Sequence, residues 1–355
     1  MIDTGLVLGP YTLPNRLFIA PMAGVTDRPF RRLCKRLGAG HAVSEMITSR
    51  PELRDSLKTA RRANHEGEPG PIAVQIAGTD PAMMAEAARY NIDRGAQIID
   101  INMGCPAKKV CQKWAGSALM QDEALAAAII EAVVAACQPH GVPVTLKMRT
   151  GWCAQVRNAP RLARLAESAG VQMLVIHGRT REQGYAGVAE HDTTALVKTL
   201  VRIPVVANGD LDGAAAVARV LRHTGADAVM IGRAAQGRPW LVREIVHELR
   251  TGQPAPAPTT AELRQWLSEH LLDHYALYGE SVGVRSARKH LLWYLRALGG
   301  PVAAQQRLRQ AIIAAERPEQ QLQALHTFLD ERESCAGTTE ACAPQPCASR
   351  ALACA

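Results

Sequence analysis

The chain has 355 residues, 47% of them apolar and 21% charged, and a formal net charge of +8. That length exceeds one average domain, and that apolar share is ample for a large core. No uninterrupted apolar run approaches the roughly 20 residues that span a bilayer, and residues 1–16 lack the basic-then-apolar order of a secretory signal. Nine cysteines, an odd number with no framework spacing, fit a reducing compartment, so a cytoplasmic protein is expected.

Short apolar runs recur along the first 250 residues, with helical stretches between them. Strands are expected at Leu17–Ala20, Ala42–Glu45, Ile72–Ile76, Gln97–Asn102, Val144–Met148, Met173–His177, Pro204–Ala207 and Ala228–Ile231. Met83, Ala87, Ala88 and Ile92 make one apolar stripe of helical period, and Leu162, Leu165, Ala166 and Ala169 make another. Alternating units with nearly continuous apolar strands mean a parallel sheet covered by helices. The count and length fit an α/β fold closed as a (β/α)8 TIM barrel. The competing open sheet would carry a glycine-rich dinucleotide turn after its first strand. Here that strand ends in Pro21-Met22-Ala23-Gly24.

Residues 251–260 alternate proline with small residues and read as a spacer. Beyond it the period is helical: Leu263, Trp266, Leu267, His270 and Leu271, then Leu291, Leu292, Leu295 and Leu298, then Leu308, Ile312 and Ile313, then Leu322, Leu325 and Leu329. Four amphipathic segments predict a small helical bundle over 261–333. Residues 334–355 hold little that can bury a core and are expected to be disordered. Their cysteines lack the close pairing of a zinc site, and no metal is expected.

Charge is unevenly spread. Residues 28–62 carry ten Lys or Arg against three acids, and residues 285–309 carry six against none. Clustered cations favour a polyanion by releasing its counterions, although solvated helix faces look the same in sequence.

In a barrel the carboxyl ends of the strands converge on one mouth. Asn208-Gly209 and Gly232-Arg233 follow strands seven and eight, where barrels commonly bind phosphate; glycine admits backbone N–H groups and arginine supplies a charged fork. Lys147 ends strand five; it either snorkels from the barrel rim or, if buried, needs an anionic partner such as the N1/O2 edge of a reduced flavin. His177 closes strand six beside Gly178 and Arg179. Gln75 places an amide within an apolar strand. A heterocycle edge or an inter-strand hydrogen bond satisfies it equally. Asp100-Ile101-Asn102-Met103-Gly104-Cys105-Pro106 ends strand four on a loop that displays a thiol. Cys34 and Cys137 sit on helical stretches and read as small buried hydrophobes, while Cys111 and Cys153 lie in loops.

Together these segments resemble the tRNA-dihydrouridine synthases, closest to the bacterial B-type subgroup. The resemblance rests on Ala20–Asp27, Val74–Gly78, Asp100–Val110, Leu146–Trp152, Ile176–Thr180, Ala207–Asp210 and Met230–Ala234, in order, and spans about Leu8 to Leu329. Gly-Cys-Pro-Ala-Lys-Lys-Val and Gly-Arg-Ala-Ala-Gln-Gly-Arg-Pro-Trp carry the subgroup. The resemblance implies NADPH as reductant, tRNA as partner and a uridine reduced to 5,6-dihydrouridine, with Cys105 as proton donor. It implies FMN held by Pro21, Met22, Ala23, Gln75, Lys147, His177, Asn208, Gly209, Asp210, Gly232 and Arg233, and it places Asn102 near the uracil. Lys108 and Lys109, Arg179, and the helical Arg285, Arg288 and Lys289 are the candidates for contacting the RNA. No protein partner is implied, and a monomer is expected.

Other readings remain. A flavoprotein acting on a free pyrimidine has little use for a separate basic helical domain. A phosphate-binding lyase or isomerase would stay colourless after FMN is added. A non-catalytic RNA-binding scaffold would survive loss of Cys105.

Overall fold

Eight parallel strand positions form a ring in this computed structural model, which describes residues 2, 4–54, 56–111 and 115–337. They are β1 (Leu17–Ile19), β2 (in two halves, His41–Ala42 and Ile47–Thr48), β3 (Ala73–Ala77), β4 (Ile98–Met103), β5 (Val144–Arg149), β6 (Met173–His177), β7 (Val205–Asn208) and β8 (Ala228–Ile231). The first half of β2 pairs with β1, the second with β3, and β8 pairs with β1. Both ends of the hydrogen-bonded order therefore belong to β2, and the sheet closes through it.

The expected strand at Ala42–Glu45 is instead this interrupted one. Val43 bridges to Ala73, and Ser44 N donates to Ala73 O at 3.0 Å. The Ser44 hydroxyl then accepts from Gln75 N at 3.0 Å, where a backbone carbonyl would serve in a regular ladder. A side chain replaces one rung, and the backbone is free to bend.

The two faces of each strand differ, as the period of two requires. Outward residues such as Ile99, Ile101, Leu146, Leu174 and Ile176 pack against the surrounding helices. The inward set changes along the axis. At the amino end it is apolar, with Phe18, Ala73, Ile98, Met173, Val206 and Ala228. Leu6, Leu8 and Leu13 join that cluster from a two-stranded hairpin, Leu6–Leu8 with Tyr11–Leu13, that the sequence reading did not anticipate. At the carboxyl end the inward positions are Gln75, Asp100, Asn102, Lys147, Arg149, His177 and Asn208. The barrel is thus sealed below and polar above.

Contacts divide the chain into Met1–Arg233 with Leu241–Ala255, and Ala234–Trp240 with the residues from Pro256 onward. Among its described residues the second unit holds four α-helices, Thr260–Tyr278, Glu280–Leu298, Val302–Ala314 and Pro318–Gly337. Thr259 and Glu262 form a capping box that starts the first of them. The segment 234–240 groups with this unit, and Gly237 lies so close to Trp293 that a Cβ would collide with its carbonyl oxygen. The last helix continues through residues 334–337, which were expected to be disordered, and the rest of the cysteine-bearing tail lies outside the described residues.

Candidate active site at the carboxyl end of the barrel

A chain of hydrogen bonds ties the cysteine loop to the barrel interior. Gly104 N and Cys105 N donate to Asn102 Oδ1 at 3.2 and 3.0 Å. Asn102 Nδ2 donates to Gln75 Oε1 at 2.6 Å, and Gln75 Nε2 donates to Asp100 Oδ2 at 2.7 Å. Thr145 Oγ1 donates to the other Asp100 oxygen. Register makes this possible, since Gln75 stands beside Asp100 on the neighbouring strand and Asp100 beside Thr145. Backbone N–H groups at one end and a carboxylate at the other fix both amide orientations. Of the two partners open to Gln75 in the sequence, the inter-strand one is present. Asn102, expected near the uracil, has its amide committed to holding the loop.

Asp100 is 1% exposed, and burial pushes its carboxyl up to about 6, against the hydrogen bonds from Thr145 and Gln75 and the charge of Lys147. Lys147 is brought down to about 8, first by burial and then by Arg149, with Asp100 opposing. Its Nζ donates to Asn208 Oδ1 at 2.8 Å, while Asn208 Nδ2 donates to Met230 O at 2.7 Å.

Cys105 is half-buried on its loop. Burial raises its thiol pKa, against the smaller pull of an Ala107 N–H, so the sulfur stays protonated at neutral pH. Arg149, 1% exposed, pins this loop: Nε donates to Gly104 O at 2.7 Å, and Nη1 donates to Thr180 O and Gly184 O, both at 2.8 Å. The Cys105 carbonyl is held in turn by Ser117, from N at 3.1 Å and Oγ at 2.9 Å.

Arg179 was expected to contact substrate, but its guanidinium is only 2% exposed and is occupied. It grips Asp210 through both terminal nitrogens, at 2.9 and 2.6 Å, and also binds Ala186 O and Gly187 O. Asp210, expected at the cofactor, accepts from Ala189 N as well and lies 3.3 Å from Arg233. Burial would raise the Asp210 carboxyl, but the Arg179 hydrogen bonds and charge hold it below the ordinary range. These two residues shape the loop over 183–189 that follows β6.

The remaining strand-end residues line the mouth. Pro21 and Met22 are half-buried and Ala23 is exposed. Gly209 has φ +127°, and a Cβ there would lie 2.7 Å from Ala189 Cβ, so glycine is required. At Gly232 a Cβ would meet nothing nearer than Ala20 and Met22 at 3.9 Å, which leaves the turn open to a ligand. Arg233 is 51% exposed and lies over the Tyr185 ring. His177 is held well below the ordinary imidazole range by burial, then by Lys147, Arg149, Arg179 and Arg233. Four cations thus face two carboxylates here, one of them pushed toward its neutral form. That surplus of positive charge fits a bound anion.

The RNA-contact candidates differ in how open they are. Lys108 and Lys109 open a one-turn helix, Lys108–Cys111, just after the cysteine. On the Glu280–Leu298 helix Arg285 and Arg296 are exposed, whereas Arg288 and Lys289 are half-buried and Arg288 reaches Ala315 O at 3.4 Å. The earlier basic run, 28–62, is substantially neutralised. Arg31 and Lys35 share the buried Glu68 at 2.6 and 3.0 Å, Arg62 meets Glu45, and Arg54 meets Glu86. Asp100 and Thr145 organise the site and were given no role in it from sequence, and Arg149 was placed at the mouth by its strand end but given no task. The lone aspartate in an apolar strand posed the same question of partners as Gln75.

A family model described as dihydrouridine synthase matches residues 18–333. The chain belongs to the dihydrouridine synthase family. Its similar relatives in this family include tRNA-dihydrouridine synthase B of Xanthomonas axonopodis pv. citri, 56% identical over 91% of this chain and 95% of that one. The protein of that name from Pseudomonas aeruginosa is 60% identical over 82% of this chain and 87% of that one. The one from Salmonella typhimurium is 50% identical over 91% and 98%. Among solved structures, a 2-naphthoyl-CoA reductase complex superposes with a TM-score of 0.54 at 12% identity, covering 71% of this chain and 52% of that one. Morphinone reductase superposes with 0.50 at 16% identity, covering 74% and 92%. These likenesses support the barrel architecture of this family member.

Proposed function

We propose that this chain reduces a uridine of tRNA to 5,6-dihydrouridine, with FMN in the barrel mouth and NADPH as reductant. The observation that carries the reading is a half-buried thiol, on a loop tied by Asn102 and Arg149, beside a cationic mouth at the carboxyl end of the barrel. A flavin bound there would supply the hydride for uracil C6. Lys147, on Asn208, is placed to compensate negative charge on the reduced ring. The turns at Asn208-Gly209 and Gly232-Arg233 offer backbone N–H groups and a guanidinium to the phosphate. Pro21, Met22 and Ala23 form the wall beside them.

The C5–C6 bond of uracil is conjugated to the C4 carbonyl, so addition at C6 leaves enolate character and a need for a proton at C5. A thiol held up in pKa by burial serves as an acid and not as a nucleophile. Asn102 and Arg149 position that acid by fixing the two peptides that precede it, and Ser117 holds the one that follows. The target base must leave its stack to enter the mouth. Lys108, Lys109 and the exposed face of the Glu280–Leu298 helix are the proposed phosphate contacts.

The test is nucleoside analysis of tRNA from cells that lack the protein, before and after return of the wild type or Cys105→Ala. Dihydrouridine should vanish, reappear with the wild type and stay low with the variant. In vitro the variant should still accept electrons from NADPH. Full dihydrouridine yield from Cys105→Ala overturns the proton-donor role, and an unchanged nucleoside profile in the deletion strain overturns the activity.

A further inference from the structure

The helical unit encloses a cluster that the proposed reaction does not use. His270 and His274 stand one turn apart on the Thr260–Tyr278 helix, and His290 faces them from the Glu280–Leu298 helix. All three are buried, with 2%, 0% and 1% exposure. Their ligand nitrogens lie within 4.8 Å of one another. Among the described residues this is the one group of three His, Cys, Asp or Glu side chains so placed.

We propose that His270, His274 and His290 bind a divalent first-row transition-metal ion, with zinc the best fit. Three imidazoles make a borderline-soft nitrogen set that suits zinc and disfavours magnesium or calcium. Two histidines at i and i+4 present their rings on one helix face, the spacing that zinc helices use. The third comes from a neighbouring helix, so the ion clamps two helices together. The rings meet edge to face: His290 lies 5.0 Å from His270 at 79° and 5.3 Å from His274 at 66°. His270 and His274 lie 6.1 Å apart at 52°, so none of the three pairs stacks face to face. Zinc–nitrogen bonds of about 2.0–2.1 Å put tetrahedral ligands roughly 3.3 Å apart. Small ring rotations close the remaining distance.

The outer partners are also those of a metal site. Ser286 Oγ contacts His274 Nε2 at 2.7 Å while donating its own proton to Val282 O at 2.8 Å. The hydroxyl therefore accepts from Nε2–H, and the lone pair of His274 sits on Nδ1. Tyr294 Oη contacts His270 Nδ1 at 2.7 Å, which directs Nε2 of that ring as the ligand atom. Such outer hydrogen bonds fix tautomer and ring orientation in metal sites. A water carried in with the ion would complete the fourth position.

The test uses the full chain, prepared without a polyhistidine tag, stripped with a chelator and titrated with Co2+ and then Zn2+. Visible d–d bands without a thiolate charge-transfer band, displacement by Zn2+, and a Tm raised by metal are expected. His290→Gln should abolish the bands. Tyr294→Phe and Ser286→Ala keep all three rings and should weaken binding about ten- to a hundredfold. If His290→Gln does not fold, those two variants decide the matter. Bands unchanged in the variants, a thiolate band, or no metal-dependent rise in Tm overturns the proposal. None of these readouts depends on uridine reduction, so this result and the activity test stand apart.

Discussion

Replacing Asp100 by asparagine isolates the cost of keeping a carboxylate inside the barrel. The unfolded chain releases this proton near pH 3.8 and the folded chain near pH 6. Between those values the folded state holds the extra proton, so stability falls as pH rises, and above pH 6 the whole penalty is present. The rise from 3.8 to about 6 corresponds to about 3 kcal/mol. The substituted amide would keep an oxygen for Gln75 Nε2 and turn its nitrogen toward Thr145, whose hydroxyl rotates to accept it. The chain to Cys105 therefore survives the substitution. Urea unfolding of wild type and Asp100→Asn, followed by far-UV circular dichroism across this pH range, gives the difference directly. That difference should shift in favour of the variant by about 3 kcal/mol from below pH 4 to above pH 6. A flat difference, or one that moves the other way, refutes the reasoning.

Arg149→Ala should strand the Gly104, Thr180 and Gly184 carbonyls, costing about 3 kcal/mol and speeding alkylation of Cys105 as its loop loosens; unchanged alkylation would show that the loop is held otherwise. Gly209→Ala forces a side chain into positive φ against Ala189 and should cost about 2–4 kcal/mol by urea unfolding. Neutralising Arg285, Arg288 and Lys289 together should weaken tRNA binding and flatten its salt dependence, with Arg285 giving the largest single effect because it is the most open of the three. An unaltered salt slope would move the RNA surface elsewhere.

Much of the barrel was legible because its outward strand residues pack on helices and read as apolar runs. Lys147, His177 and Asn208 stood out as polar groups ending those runs, and all three line the mouth. The interrupted β2 was not legible, since it depends on one serine hydroxyl finding a rung. Nor were the tasks of the charged groups. Arg149 and Arg179 look alike at strand ends, yet one holds the cysteine loop and the other holds Asp210. Glu68 lies beyond the basic run it neutralises, so counting charges from 28 to 62 overstated the free cations. His270 was seen only as part of an apolar face. His274 one turn on was the available signal, while His290 becomes its neighbour only once the helices pair.

The leucine stopper at the amino end governs traffic. With Leu6, Leu8 and Leu13 filling that opening, reagents reach the barrel interior from the opposite side. On the proposed function, a nicotinamide donor and a folded RNA would share that one doorway and take turns, and steady-state kinetics should then show the parallel lines of a double-displacement scheme.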